Sequence, residues 1–102
     1  PVLFHPVSGG RGIGELRWGA ERGRGVESLV DDVAFDSRAL ANAPESPHRL
    51  LYATPALAAP LHLSGTARVT LRLASSAPAA NLSVYLVQLP YGDGRIGTSN
   101  LI

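Results

Sequence analysis

Between Arg68 and Ala74 apolar and polar side chains alternate without a break: Val69, Leu71 and Leu73 fall on one face, Arg68, Thr70 and Arg72 on the other. A period of two predicts a strand with one covered and one wet face. Leu82 to Leu89 is apolar at Leu82, Val84 and Leu86 and also at Tyr85, Val87 and Leu89, the pattern of a strand covered on both sides. Shorter strands are predicted at Leu50–Thr54, ended by Pro55, and at Leu61–Ser64, closed by Gly65. Ser75 to Ala80 is a turn of small residues around Pro78. Tyr91-Gly92-Asp93-Gly94 carries the Asp-Gly signal of a hairpin and should fold 95–102 back as a partner strand. These runs recur about every 8–12 residues, the rhythm of a sandwich or barrel.

The first half is less regular. Residues 8–25 hold seven glycines in eighteen positions, a density that opposes regular structure because each glycine loses much backbone entropy on ordering. This stretch is expected to be an extended loop or linker, with Ile13, Leu16 and Trp18 as anchors or a short strand. Residues 26–45 fit two readings: Leu29, Val30, Val33 and Leu40 allow a helix, while Val33-Ala34-Phe35 allows a strand. Asn42-Ala43-Pro44-Glu45-Ser46-Pro47 breaks whichever forms. The expected organisation is a Gly-rich linker over 1–25 and a β-sandwich over 26–102.

Composition narrows the function. One hundred and two residues suffice for one domain, and 45% hydrophobic residues argue against disorder of the whole chain. With two Phe, three Tyr and one Trp, a core must come from Leu, Val, Ile and Ala. Net charge is +1, too small for the concentrated basic face of a nucleic-acid binder. Every basic residue is Arg, which excludes a Schiff-base lysine and the lysine of a phosphate loop. Without Cys there is no disulfide, thiolate nucleophile or cysteine-ligated zinc, and the compartment stays open. No apolar run approaches the roughly 18 residues of a membrane span, so no membrane partner is expected. The chain starts at Pro1 and stops at Asn100-Leu101-Ile102, and it reads as a piece of a longer polypeptide.

Candidate chemistry is sparse. Gly10-Arg11-Gly12 begins a GxGxxG pattern, but Glu15 stands where its last glycine belongs. No G-x-S-x-G elbow surrounds Ser64 or any other serine, and His5, His48 and His62 have neither a local triad partner nor metal-ligand spacing. Glu27, Asp31, Asp32 and Asp36 form an acidic group without EF-hand spacing, better suited to capping or solvation than to Ca²⁺. Asn81-Leu82-Ser83 is a formal glycosylation sequon on a strand expected to be covered, and Arg22-Gly23-Arg24-Gly25 is too short for an RNA-binding repeat. No catalytic, cofactor or metal residue is assigned.

One resemblance orders these pieces. Val30-Asp31-Asp32, then Arg49-Leu50-Leu51-Tyr52-Ala53-Thr54-Pro55 with Leu57, then Leu61–Thr66, Val69–Ser76 and Asn81–Val87 follow, in sequence and spacing, the C-terminal non-catalytic domain of Xaa-Pro dipeptidyl-peptidase and cocaine-esterase type serine hydrolases. Bacterial Xaa-Pro dipeptidyl-peptidases are most similar, and the likeness covers about 48 to 99. Asn81 departs from the Asp frequent in that family but still suits a turn. The resemblance implies an all-β jelly-roll sandwich of galactose-binding-like type, here an incomplete one, since a jelly roll takes about eight strands. It further implies an accessory role beside an upstream α/β-hydrolase domain that carries the triad. The alternatives are a carbohydrate-binding module, which needs exposed aromatics, and a module that homodimerises through unpaired strand edges.

Overall fold

The computed structural model describes residues 1–21, 25–90 and 94–102. The fold is β-rich. Strands β1 (Phe4–Ser8), β2 (Ile13–Trp18) and β3 (Leu51–Ala53) form one sheet in the order β1-β2-β3. Regular helix is limited to α1 (Ser37–Asn42) and a 3₁₀ turn at Thr98–Asn100.

The Gly-rich segment, expected to be irregular, is instead a hairpin. Strands β1 and β2 pair antiparallel from Phe4↔Trp18 to Ser8↔Gly14. The glycines oppose structure only where they are concentrated, and that place is the turn. Gly10, Arg11 and Gly12 take φ of 76°, 56° and 75°, a left-handed run that glycine enters without steric cost. Gly9 N donates to Ile13 O (2.9 Å) and Ile13 N to Gly10 O (3.0 Å), closing the connection. Pro6 lies within β1, which is allowed because β1 is an edge strand and needs no ladder donor on its outer side.

The strand expected at Leu50–Thr54 is present as β3. Its partner is β2, in parallel register with Ile13 opposite Leu51 and Glu15 opposite Ala53. Parallel pairing demands a crossover, and the chain between Trp18 and Leu51 supplies it, with α1 along the way. Of the two readings of 26–45, a short helix forms and Val33–Phe35 lies outside any strand. Asp36 caps α1: its Oδ1 accepts from Ala39 N at 2.7 Å. At the other end the Asn42 amide acts as a spare peptide group. It donates to Ile96 O (3.0 Å) and accepts from Ile96 N (2.7 Å), tying helix to distant chain as a strand neighbour would.

The later strands correct the expectation. Residues 61–64 and 68–74 carry no ladder among the described residues, and 82–89 contributes only the antiparallel bridge Val87↔Leu101. That bridge, with Gln88 N donating to Asn100 O (2.8 Å) and Ile102 N to Leu86 O (3.0 Å), does bring the last residues back as a partner. The expected turn at Tyr91–Gly94 falls mostly on 91–93, outside the described residues. Alternation specifies which face is apolar but supplies no partner, and backbone groups become a strand only against another edge. Accordingly Val69, Leu71 and Leu73 are exposed.

No apolar side chain among the described residues is fully buried; the buried residues are His5 and Ser46. Half-buried apolar groups gather around the sheet and α1, at Phe4, Val7, Leu16, Leu40, Leu50, Leu51 and Tyr52. The core expected from Leu, Val, Ile and Ala is therefore not assembled within the described residues. No described helix is long and apolar enough to cross a membrane.

Candidate functional site

The hairpin turn, the chain at Ser46–Leu51 and the end of α1 converge, and Arg49 joins all three. Its Nη1 donates to Gly12 O (2.7 Å), its Nε to Leu40 O (2.9 Å) and its Nη2 to Ala43 O. Two of these acceptors lie in the last turn of α1 or just past it, where carbonyls lack helical partners and a cation is favoured. Burial without an adjacent carboxylate pushes Arg49 below the ordinary arginine pKa, yet a guanidinium keeps its charge. Gly12 O also accepts from Leu51 N (2.9 Å). A side chain at Gly12 would run into the Ser46 and Arg49 carbonyl oxygens, so the absence of a Cβ permits this close approach.

A second tie lies beside it. The Glu27 carboxylate accepts from Ser8 Oγ (2.6 Å) and from the Tyr52 hydroxyl, joining the crossover to β1 and β3. The third fixes the middle of the crossover. His48 Nδ1 donates to Val30 O (2.7 Å), its ring stacks on Phe35 with centroids 5.1 Å apart, and Nε2 lies 3.8 Å from Asp32 Oδ2. Asp32 Oδ1 in turn accepts from Ala34 N (2.9 Å).

These contacts consume the polar groups on which chemistry would depend. Two amides of the glycine turn are bonded within the hairpin, Gly9 N to Ile13 O and Gly10 N to Ser8 Oγ. Ser46 Oγ accepts from the His48 backbone N–H (3.0 Å), so the pair is a turn and has no nucleophile-to-imidazole bond. His5 is buried at the open end of the hairpin, its Nδ1 donating to Gly19 O (3.0 Å). His62 and Ser64 are exposed and have no hydrogen-bond partner among the described residues. Of the acidic group, Asp36 caps a helix, Glu27 and Asp32 bind as above, and Asp31 is exposed. No set of three His, Asp or Glu among the described residues is arranged to hold a metal ion. Residues 22–24 of the Arg-Gly segment lie outside the described residues.

An open groove runs past the hairpin, lined by Val7, Arg11, Glu15, Arg17 and Glu45 among others. Its charges neutralise one another: Arg11 reaches Glu45 at 3.4 Å and Arg17 reaches Glu15 at 3.1 Å. The hydrogen bond and charge of Glu15 raise the Arg17 pKa. Paired charges of this kind leave little net field to attract a charged ligand.

The sequence places Tyr52 in a strand, Asn42 at a chain break and Arg49 in the family motif, but assigns no side-chain contact to any of the three. One signal was available for Arg49: a cation directly before an apolar strand, a few residues beyond a helix end. Nothing local marks the Asn42–Ile96 contact, which spans 54 positions.

Residues 13–102 match a family model described as the X-Pro dipeptidyl-peptidase C-terminal non-catalytic domain. The chain is also 47% identical, over 103 aligned positions, to a curated protein of Rhodopirellula baltica provisionally named an Xaa-Pro dipeptidyl-peptidase. The alignment takes in 99% of this chain and 16% of that relative, so the chain spans about a sixth of the relative's length. No solved structure matches the chain significantly.

Proposed function

The chain belongs to the X-Pro dipeptidyl-peptidase C-terminal non-catalytic domain family, and from that premise we propose that it serves as the accessory β-sandwich of a serine peptidase. The parent polypeptide releases Xaa-Pro dipeptides from peptide N-termini by an acyl-serine route, with Ser, His and Asp supplied by an α/β-hydrolase domain ahead of this region. This region packs on that domain and walls the cleft. Selection for a free N-terminus is then a matter of shape: a closed-off cleft admits the end of a peptide and excludes its middle.

The family match over 13–102 is the observation that carries this reading. The structure supports it in two ways. Polar side chains around the hairpin are spent on holding the chain together, as expected of scaffolding. Residues 66–86 belong to no ladder among the described residues, and their apolar positions are exposed at Val69, Leu71, Leu73, Leu82 and Val84. Those positions have the form of sheet faces in a jelly roll of galactose-binding-like type, completed by strands and a catalytic domain beyond these residues.

Excision tests the proposal. The parent enzyme lacking residues 13–102 should lose activity on Xaa-Pro dipeptide substrates or begin to accept N-terminally extended peptides. A truncated enzyme that stays folded, equally active and equally selective refutes the buttress. The exposed strand edges favour a second reading, homodimerisation through this region. Light scattering of the parent across a concentration series distinguishes a monomer from a dimer dependent on residues 66–89.

A further inference from the structure

Strand β1 ends at Ser8, ahead of the family match, which opens at Ile13; β2 lies within the match. The two are nevertheless one ladder, in register from Phe4↔Trp18 to Ser8↔Gly14. The sheet of the accessory region thus includes a strand contributed from the N-terminal side of its own family boundary. At the open end of that hairpin Phe4 and Trp18 pack with centroids 4.4 Å apart, while Gly19 N donates to Leu3 O (2.9 Å) and extends the pairing outward.

The two faces of this hairpin differ in chemistry. In-register pairs share a face and alternate along the strands. One face carries Phe4 with Trp18, Pro6 with Leu16 and Ser8 with Gly14; the other carries His5 with Arg17 and Val7 with Glu15. The Phe4–Trp18 end of the first is apolar and Trp18 leaves 53% of its surface uncovered, while Tyr52 of β3 joins that face at its Ser8 end. A tryptophan so exposed, at the apolar end of a sheet face, has the character of an interface anchor. A sugar platform would need hydrogen-bonding groups beside the ring. On this face the hydrogen-bonding groups are the Ser8 and Tyr52 hydroxyls at the turn end, and both are already bonded to the Glu27 carboxylate.

We infer that the Phe4–Trp18 face of the β1–β2 hairpin docks on the catalytic domain of the same polypeptide, making the junction a rigid strand pair and not a linker. The inference rests on the accessory-domain reading above and names its contact. A C-terminal domain meets its catalytic partner from the N-terminal side, and the aromatic pair involves β1, the strand on that side of the family boundary. Most of the relative's length lies outside the matched segment, which leaves ample surface to receive the face.

Hydrogen exchange on the full-length parent tests this. Trp18→Ala should speed exchange roughly tenfold in the hairpin and in one catalytic-domain peptide, the loss expected of an interface tryptophan. Residues 46–53 should keep their protection, and Trp18→Phe should restore most of the effect. Exchange that changes only within 4–18, or not at all, overturns the docking while leaving the excision result standing. If the variant unfolds 46–53 as well, Trp18→Phe decides: retained protection in the catalytic-domain peptide supports docking, and its loss with an intact hairpin counts against it. Protection of the hairpin by added oligosaccharide, with catalytic-domain exchange unchanged in Trp18→Ala, also overturns it.

Discussion

Residues 4–53 and residues 54–90 respond in opposite ways to the same rule. The second region has the cleaner strand pattern, with strict alternation from Arg68 to Leu73, yet among the described residues it makes only the single bridge Val87↔Leu101 and most of its apolar positions are exposed. The first has glycines, an in-strand proline and ambiguous periodicity, yet it holds all three strands of the sheet among the described residues. Partners account for the contrast. Within 4–53 each element has a nearby group that finishes it: a four-residue turn for the hairpin, an aspartate for α1, an arginine for the orphan carbonyls. Within 54–90 the pattern specifies a face, and the surface that would cover it is not among the described residues. Hydrophobic periodicity is a statement about the environment a segment needs; pairing is a statement about what it has found.

The comparison breaks most sharply at Leu71, which is 49% exposed here. If 68–74 is a covered sheet face in the parent, Leu71→Asp buries an unpaired charge and should destabilise the parent by about 3 kcal/mol, read from urea unfolding. A change under about 0.5 kcal/mol, typical of a surface site, would mean that the exposed arrangement holds in the whole enzyme as well.

In the first region Arg49→Lys should cost about 2 kcal/mol. A lysine keeps the charge but cannot reach the Gly12, Leu40 and Ala43 carbonyls together. Faster amide exchange across both β2 and α1 would mark Arg49 as the joint between them; faster exchange in α1 alone would reduce it to a helix cap. The smallest effect belongs to Asp36→Ala. Losing the bond to Ala39 N should cost about 1 kcal/mol, confined to α1 and restored by Asp36→Ser. Loosening of the sheet in that variant would mean that the helix supports β3 more directly than its contacts indicate.

The order of motifs from Val30 to Val87 was enough to identify the family, and the later match over 13–102 agrees with it. The strand ending at Pro55 and the chain break around Pro44 and Pro47 were equally legible, because proline acts locally. Glycine density over 8–25 does not foretell the hairpin, because its turn needs left-handed residues only at 10–12. Arg49 and Asn42 were out of reach for a different reason. Their partners are main-chain groups, up to 54 positions away, and a carbonyl has no sequence signature.

By itself, the sequence determined the family, the apolar faces and the breakpoints, since these depend on side-chain type and on neighbours a few positions apart. Tertiary structure alone decided which segments pair, that β2 takes β3 as a parallel neighbour, and that Phe4 meets Trp18 on an open face. Pairing requires two backbone edges to meet at about 4.8 Å, and no single segment contains the information about which other edge will be there.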